Sequence, residues 1–148
     1  LSPIEYSEEL ATELDRHYLG ISKTAKVQRR RMVKRIDDQP IQIQRSAVPL
    51  KLAKGTLLAD ETAQPYPGGT LAELYDAGLI PAGANVVVVE EAHARMPNTR
   101  ERQLLEMAVT GPVWDIVRTF KVDGVAVEVS RVIAPTARIV LVYETDLS

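Results

Sequence analysis

The sequence contains no cysteine, only two histidines and few aromatic residues, at 5% of the chain. The absence of cysteine excludes disulfide bonds, thiolate metal sites and a cysteine nucleophile. His17 and His93 lie far apart in the sequence and lack the spacing of paired metal ligands, so we expect no metal ion. The chain also lacks a P-loop and a Gly-x-Gly-x-x-Gly motif, and we expect no cofactor.

The chain also lacks long apolar runs and an excess of positive charge. No run approaches the roughly 20 apolar residues that span a bilayer, and the first residues lack the pattern of a signal peptide. We therefore expect a cytoplasmic protein without membrane contact. The net charge of −2 argues against a free-standing nucleic-acid binder. The 148 residues, 45% of them hydrophobic, suit one compact domain.

The hydrophobic patterning predicts an α+β fold on a mainly antiparallel sheet. Turn formers at Asp37-Asp38-Gln39-Pro40 and at Asp123-Gly124 predict two hairpins, and the order of segments lacks regular βαβ units. The predicted strands are 26–35, 41–48, 85–91, 113–120, 125–133 and 138–143. The predicted helices are 7–18, a segment from Gly69 to about residue 77, and one that begins after the cap Asn98 and ends before Gly111-Pro112.

Three stretches of the sequence, in this order of elements, are similar to a known protein family. They are 29–49, which contains the first hairpin, 94–105 with its Asn98 cap, and 117–128 with the Asp-Gly turn. Together they resemble the UTRA domain, the effector-binding domain of the HutC branch of the GntR transcription regulators. The resemblance implies a fold similar to chorismate lyase, with a ligand pocket between the sheet and its helices.

The resemblance also implies how the chain is organised and what it contacts. Family members carry an N-terminal winged helix-turn-helix, and residues 1–25 are too few to form one. We therefore expect a linker and short helix over 1–25, an effector-binding domain over 26–148, and DNA contact only through the missing segment. Similar regulators bind two-fold operators, and sheet edges invite pairing, so we expect a homodimer.

The basic strand and the Gly-Gly-Thr helix start supply candidate ligand-binding residues. Strand alternation points Arg29 and Arg31 one way and Arg30 the other. The resemblance implies that arginines of this strand contact an anionic effector. The spacing to Pro40 places the family's Arg-x-Arg near Met32 and Lys34, whereas a longer turn would place it at Arg29 and Arg31 or at Arg30, so the register stays open. At Gly69 and Thr70, free amides of a helix N-terminus attract anions, although a plain capped loop is the alternative.

The second hairpin adds Arg118 and Glu128, which the Asp123-Gly124 turn brings near each other. We expect either a structural ion pair or contact with the ligand. Gln44 and Glu128 are candidates to bind hydroxyl or amine groups of the effector. The convergence of these residues predicts a pocket on the covered face of the sheet that holds a small molecule, and it favours an anionic one.

An enzyme of the chorismate lyase type is the alternative. It would use arginines to hold a carboxylated ring and a carboxylate for catalysis, and Arg31, Arg118 and Glu128 could mimic that set. Glu90 and Glu91 are adjacent, so they point to opposite faces of a strand and form no acid–base pair. No serine lies in a Gly-x-Ser-x-Gly elbow. We expect a sensor that binds its ligand without catalysis.

Overall fold

A computed structural model describes residues 4–63 and 68–148. It contains a six-stranded antiparallel sheet in the order β1-β2-β3-β6-β5-β4. The strands are β1 Glu5–Leu10, β2 Lys26–Ile36, β3 Gln39–Pro49, β4 Val86–Arg95, β5 Val113–Val122 and β6 Val125–Pro135. The α-helices are α1 Glu13–Leu19, α2 Leu50–Ala53, α3 Gly69–Asp76 and α4 Thr99–Leu104, with short 3₁₀ helices at Leu57–Ala59 and Glu61–Ala63.

The predicted α+β class and both hairpins are confirmed. Asp37 and Asp38 both have positive φ in the first turn, as does the Asp123-Gly124 pair in the second. These are the backbone angles of tight two-residue hairpin turns, which Asp and Gly tolerate better than most residues. Asn98 caps α4 as predicted and accepts from the Glu101 amide, although that helix ends at Leu104, well before Gly111.

The predicted helix over 7–18 is wrong in its first half. Residues 5–10 form β1, which pairs along β2 at the edge of the sheet, and α1 starts only after Thr12. Thr12 and Asp15 form the capping box, in which each side chain accepts from the other's backbone amide. Residues 1–3 of the predicted linker lie outside the described residues.

The two faces of the sheet are covered by different helices. The α3 face carries alternate strand residues including Arg30, Ser46 and Ser130, and packs against α2, α3 and the first 3₁₀ helix through a core around Leu58 and Leu74. The α1 face carries the intervening residues, such as Val27, Ala47 and Val129. These pack against Leu14 and Leu19 of α1, and nearby Ile43 and Ile133 pack against Leu105 after α4.

The predicted strand over 138–143 is also wrong, because no strand follows β6 in the described residues. The segment crosses the α3 face instead, and Ile139 and Leu141 pack against a cluster around Ile116 and Val132. The intervening Val140 and Val142 are 84% and 82% exposed. Burial therefore alternates along this segment because one side of it packs against the sheet. A ladder of backbone hydrogen bonds is not involved.

No helix in the described part of the chain combines the length and the apolar character that crossing a membrane requires.

Candidate functional site

Three polar side chains meet on the α3 face near the middle of the sheet. The guanidinium of Arg30 donates from Nη2 to Oε2 of Glu128 over 2.9 Å and also donates to the Thr70 hydroxyl. Thr70 in turn donates to the same Glu128 oxygen. The side chains of Arg30 and Glu128 are each 11% exposed. We call Arg30, Thr70 and Glu128 the polar triad.

The strand register explains how β2, β3 and β6 bring the triad together. Arg30 lies opposite Ser46, which lies opposite Ser130. Glu128 precedes Ser130 by two residues in β6 and is therefore on the same face. Both serines are small and buried, so the long Arg30 side chain has room to reach Glu128 across the sheet. Leu74 packs α3 against the same face and holds Thr70 above this row.

The start of α3 faces the triad with its backbone amides available. Gly68 is the N-cap with a φ of 84°, and no described side chain caps the helix. A Cβ at Gly68 would lie 2.8 Å from the Cβ of Ala72, so this position requires glycine for space as well as for its backbone angle. Uncapped amides and the positive end of the helix dipole together favour an anion at this point.

The electrostatics of the triad are dominated by burial. Burial raises the pKa of the Glu128 carboxyl, while the charge of Arg30 and the hydrogen bonds from Thr70 and Arg30 act in the opposite direction. A carboxylate in such surroundings is stabilised by every further donor that reaches it. A ligand with a hydroxyl or amine group supplies one.

Sequence analysis missed two residues that lie beside the triad. Tyr6 of β1 pairs with Arg30, and Gln28 lies two residues before Arg30 on the same face. The Tyr6 hydroxyl and Gln28 Oε1 are buried and have no hydrogen-bond partner among the described residues. Burial raises the pKa of Tyr6, against the opposing charge of Arg30. Buried polar atoms are almost always paired, so these two are available to a ligand. Tyr6 was missed because it lies in the segment 1–25, which was predicted as a linker and short helix.

Two of the predicted site residues have other partners. Arg118 shares the α3 face but lies directly opposite Glu90 and donates to it over 2.5 Å, so the predicted pairing of Arg118 with Glu128 is wrong. Arg31 points to the α1 face, where it donates to Glu9 over 2.7 Å. The alternation of side chains along the strand predicted that Arg30 and Arg31 point to opposite faces. In the structure Arg30 lies on the face that carries Thr70.

Gln44 lies on the same face as Arg30, and its Oε1 accepts from Gln42 over 3.3 Å. Gly69, with a φ of 80°, forms the first turn of α3 beside Thr70. The structure therefore keeps Gly69, Thr70, Arg30 and Glu128 together, with Gln44 and Arg118 further out on that face.

A cleft of about 920 Å³ lies elsewhere, on the α1 face, and none of the triad lines it. Among the described residues, an arginine, a hydroxyl, a buried carboxylate and a helix start without a side-chain cap converge on the α3 face.

Comparison with known families identifies the family to which this chain belongs. The sequence model of the UTRA domain matches residues 3–140, nearly the whole chain. The chain belongs to the UTRA domain family. This UTRA domain includes β1 and α1 within the matched range. No sequence among the curated proteins compared matches it.

Solved structures share the fold of this UTRA domain at low sequence identity. A GntR-family transcriptional regulator from Enterococcus faecalis V583 superimposes with a TM-score of 0.77 at 12% identity, covering 95% of this chain and 96% of that one. The C-terminal domain of the histidine utilization repressor from Pseudomonas syringae pv. tomato DC3000 gives 0.76 at 21% identity, covering 99% of both chains. The effector domain of PhnF from Mycobacterium smegmatis gives 0.75 at 22%, covering 96% and 83%.

These neighbours establish the fold as the chorismate lyase-like one of GntR-family C-terminal domains, as predicted. Two of these neighbours are named as the effector domain of PhnF and as the C-terminal domain of a histidine utilization repressor.

Proposed function

We propose that the domain binds a small effector on the α3 face and that the polar triad is the centre of the binding site. The observation that carries this proposal is the convergence of Arg30, Thr70 and Glu128 beneath the uncapped start of α3. Ser46 and Ser130 line the floor between them, and the Tyr6 hydroxyl is available nearby. Such a site is built from elements that are already packed, so little ordering is required on binding.

The proposed effector carries an anionic group and a hydrogen-bond donor. Its carboxylate or phosphate binds the Arg30 guanidinium and the amides at Gly69 and Thr70, because a planar guanidinium and a helix N-terminus both favour oxyanions. Its hydroxyl or amine donates to Glu128, and Gln44 contacts the more distant part. Amino acids, hydroxy acids and sugar phosphates all meet this description.

The proposed role is to control DNA binding by an attached winged helix-turn-helix in the cytoplasm. The effector need only bind one conformation of the regulator more tightly than the other. In this proposal residues 26–148 contribute the polar triad, and residues 1–25, which contribute Tyr6, connect it to the DNA-binding segment. No catalysis is proposed, because the lyase-like set of Arg31, Arg118 and Glu128 is split between two faces and three separate ion pairs.

We propose that the domain is a homodimer that pairs through the edge of β4. This edge strand presents three valines, Val87, Val88 and Val89, which are 41%, 52% and 42% exposed. An uncovered apolar edge strand is a template for pairing with a second chain. Replacing Val88 with lysine is expected to weaken dimerisation at least tenfold, since a charge on an edge strand opposes edge pairing.

Sedimentation equilibrium of the parent and of Val88→Lys measures this effect. Val125→Lys is the matched control, because Val125 is 66% exposed but lies at the β5–β6 turn. Equal dissociation constants for the parent and Val88→Lys would place the dimer interface elsewhere, and a monomeric parent at tens of micromolar would contradict the dimer itself.

The effector proposal is tested by thermal unfolding against a panel of amino acids, hydroxy acids and sugar phosphates at millimolar concentration. At least one compound is expected to raise the midpoint of the parent by several degrees, because a ligand that binds only the folded state stabilises it. The same compound should leave the midpoint of a double variant, Arg30→Met with Glu128→Leu, unchanged. A compound that stabilises both proteins equally binds outside the triad and contradicts the proposal.

A further inference from the structure

Three arginines stand side by side on the α1 face. Arg31 of β2 lies directly opposite Arg45 of β3, and Arg45 lies directly opposite Arg131 of β6. Directly opposed side chains in antiparallel strands have Cβ atoms about 4.5–5.5 Å apart, and like charges at such positions repel. A row of three cations across three adjacent strands therefore needs compensating negative charge.

The two outer arginines have that compensation and the central one does not. Arg31 donates to Glu9, and Arg131 donates to both oxygens of Asp115 at 2.9 and 2.6 Å. Arg45 has no hydrogen bond and no ion pair with any described residue. Burial, followed by the charges of Arg131 and Arg31, lowers the pKa of Arg45, while the charge of Glu101 acts in the opposite direction.

Four of the neighbouring carboxylates are engaged with other arginines. Four arginines around Arg45 are paired with four carboxylates: Arg29, Arg31, Arg95 and Arg131 with Glu9, Asp15, Glu101 and Asp115. The paired charges cancel and Arg45 is left as the surplus cation. Glu13 and His17 of α1 also line the space above it, but neither is bonded to Arg45.

The space above Arg45 is large enough for a ligand. Arg31, Arg45 and Arg131 line the cleft of about 920 Å³ between the sheet and α1, together with apolar groups of Leu14, Tyr18 and Val129. Binding pockets of small molecules typically have volumes of about 300–1,000 Å³ and combine apolar walls with a few polar groups. The floor of the cleft thus presents an unpaired guanidinium, and its wall presents hydrophobic contact area.

We propose that this cleft is a second anion site, in which Arg45 binds the carboxylate or phosphate group of a small metabolite. The planar guanidinium offers paired donors to either group, and Arg31 and Arg131 add favourable charge from both sides. The site lies on the opposite face of the sheet from the polar triad and does not depend on the function proposed for the triad.

The test is a calorimetric titration of the full chain with inorganic phosphate and, separately, with succinate, at constant ionic strength. The parent is expected to bind at least one of them, and Arg45→Gln to bind it at least tenfold more weakly, because hydrogen bonds to charged groups contribute that much. Arg35→Gln is the matched control, because it removes an equal charge from an arginine that is paired with Glu106 outside the cleft. Its affinity should equal that of the parent.

The outcomes separate the alternatives. If phosphate alone binds, the site takes phosphorylated metabolites, and if succinate alone binds, it takes carboxylates. Absence of binding to the parent at tens of millimolar, or equal affinity of the parent and Arg45→Gln, overturns the proposal. An Arg45→Gln variant that changes only the monomer–dimer equilibrium would instead make the cleft an interface between copies of this chain. Removing one of three adjacent cations relieves repulsion, so we expect Arg45→Gln to fold.

Discussion

Replacing Asp15 with alanine is expected to lower the free energy of unfolding by about 3–5 kcal/mol, the usual cost of removing one partner of a buried ion pair. Asp15 is fully buried and accepts hydrogen bonds from two nitrogens of Arg29. It also accepts from the Thr12 backbone amide and so completes the cap of α1. Glu9 remains 3.2 Å from Arg29 in the variant, so we expect the lower half of that range.

Urea unfolding followed by circular dichroism measures this loss, and two variants at the same helix turn calibrate it. Glu13→Ala removes an exposed carboxylate from the first turn of α1 and should cost less than about 1 kcal/mol. Asp15→Asn retains an oxygen for the cap but loses the charge that Arg29 needs, so it should fall between the two. If Asp15→Ala costs no more than Glu13→Ala, the pair of Arg29 and Asp15 does not hold α1 on the sheet.

The second large effect concerns the polar triad, where either single replacement is expected to cost about 3–5 kcal/mol. Arg30→Met leaves Glu128 in a buried site without its cation, and Glu128→Leu leaves the Arg30 guanidinium without its carboxylate. Replacing both partners with apolar residues of similar volume is often neutral or stabilising, because neither charge then has to be desolvated. The double variant should therefore be within about 1 kcal/mol of the parent or more stable.

Urea unfolding of the parent, the two single variants and the double variant forms a complete cycle for this pair. The expected result is a coupling free energy of several kcal/mol, well above the value of about 0.2–1 kcal/mol that is typical of exposed pairs. Additive single effects would mean that Arg30 and Glu128 do not interact in solution. A stable double variant also provides the folded, non-binding control that a test of the effector site needs.

The features predicted correctly from the sequence are those set by local chemistry. The Asp-Gly turn fixes the β5–β6 hairpin because few residues other than Asp, Asn and Gly tolerate its backbone angles. Asn98 and Glu101 fix the start of α4 through hydrogen bonds within four residues. Alternation along β2 was enough to place Arg29 and Arg31 on one face and Arg30 on the other.

The errors come from contacts between distant parts of the chain. The spacing of Leu10 and Leu14 indicated a helix, yet Leu10 is 61% exposed in β1, which forms because its residues pair with β2. The Thr12-x-x-Asp15 capping box was a local signal that would have started α1 in the right place. Alternation over 138–143 reflects packing on the sheet and gives no information on hydrogen-bonding partners.

The same distinction applies to the candidate site. The Gly69-Thr70 helix start was visible as a local pattern, and Thr70 contacts Arg30 and Glu128 in the structure. The ligand pocket at this place stays a prediction. Arg118 was assigned to Glu128 because the two share a hairpin. Its actual partner, Glu90, comes from β4, and the hairpin sequence carries no information on which residue of β4 lies opposite.

Calorimetric titration of a compound selected by the thermal screen provides the most direct test of the effector site. We expect the parent and Arg35→Met to bind it with the same dissociation constant, because Arg35 lies outside the triad and pairs with Glu106. The Arg30→Met, Glu128→Leu double variant should remain folded and bind at least ten- to a hundredfold more weakly, since charge-assisted hydrogen bonds contribute roughly 1.5–3 kcal/mol each. Binding of the folded double variant with the affinity of the parent would contradict an effector site centred on Arg30, Thr70 and Glu128.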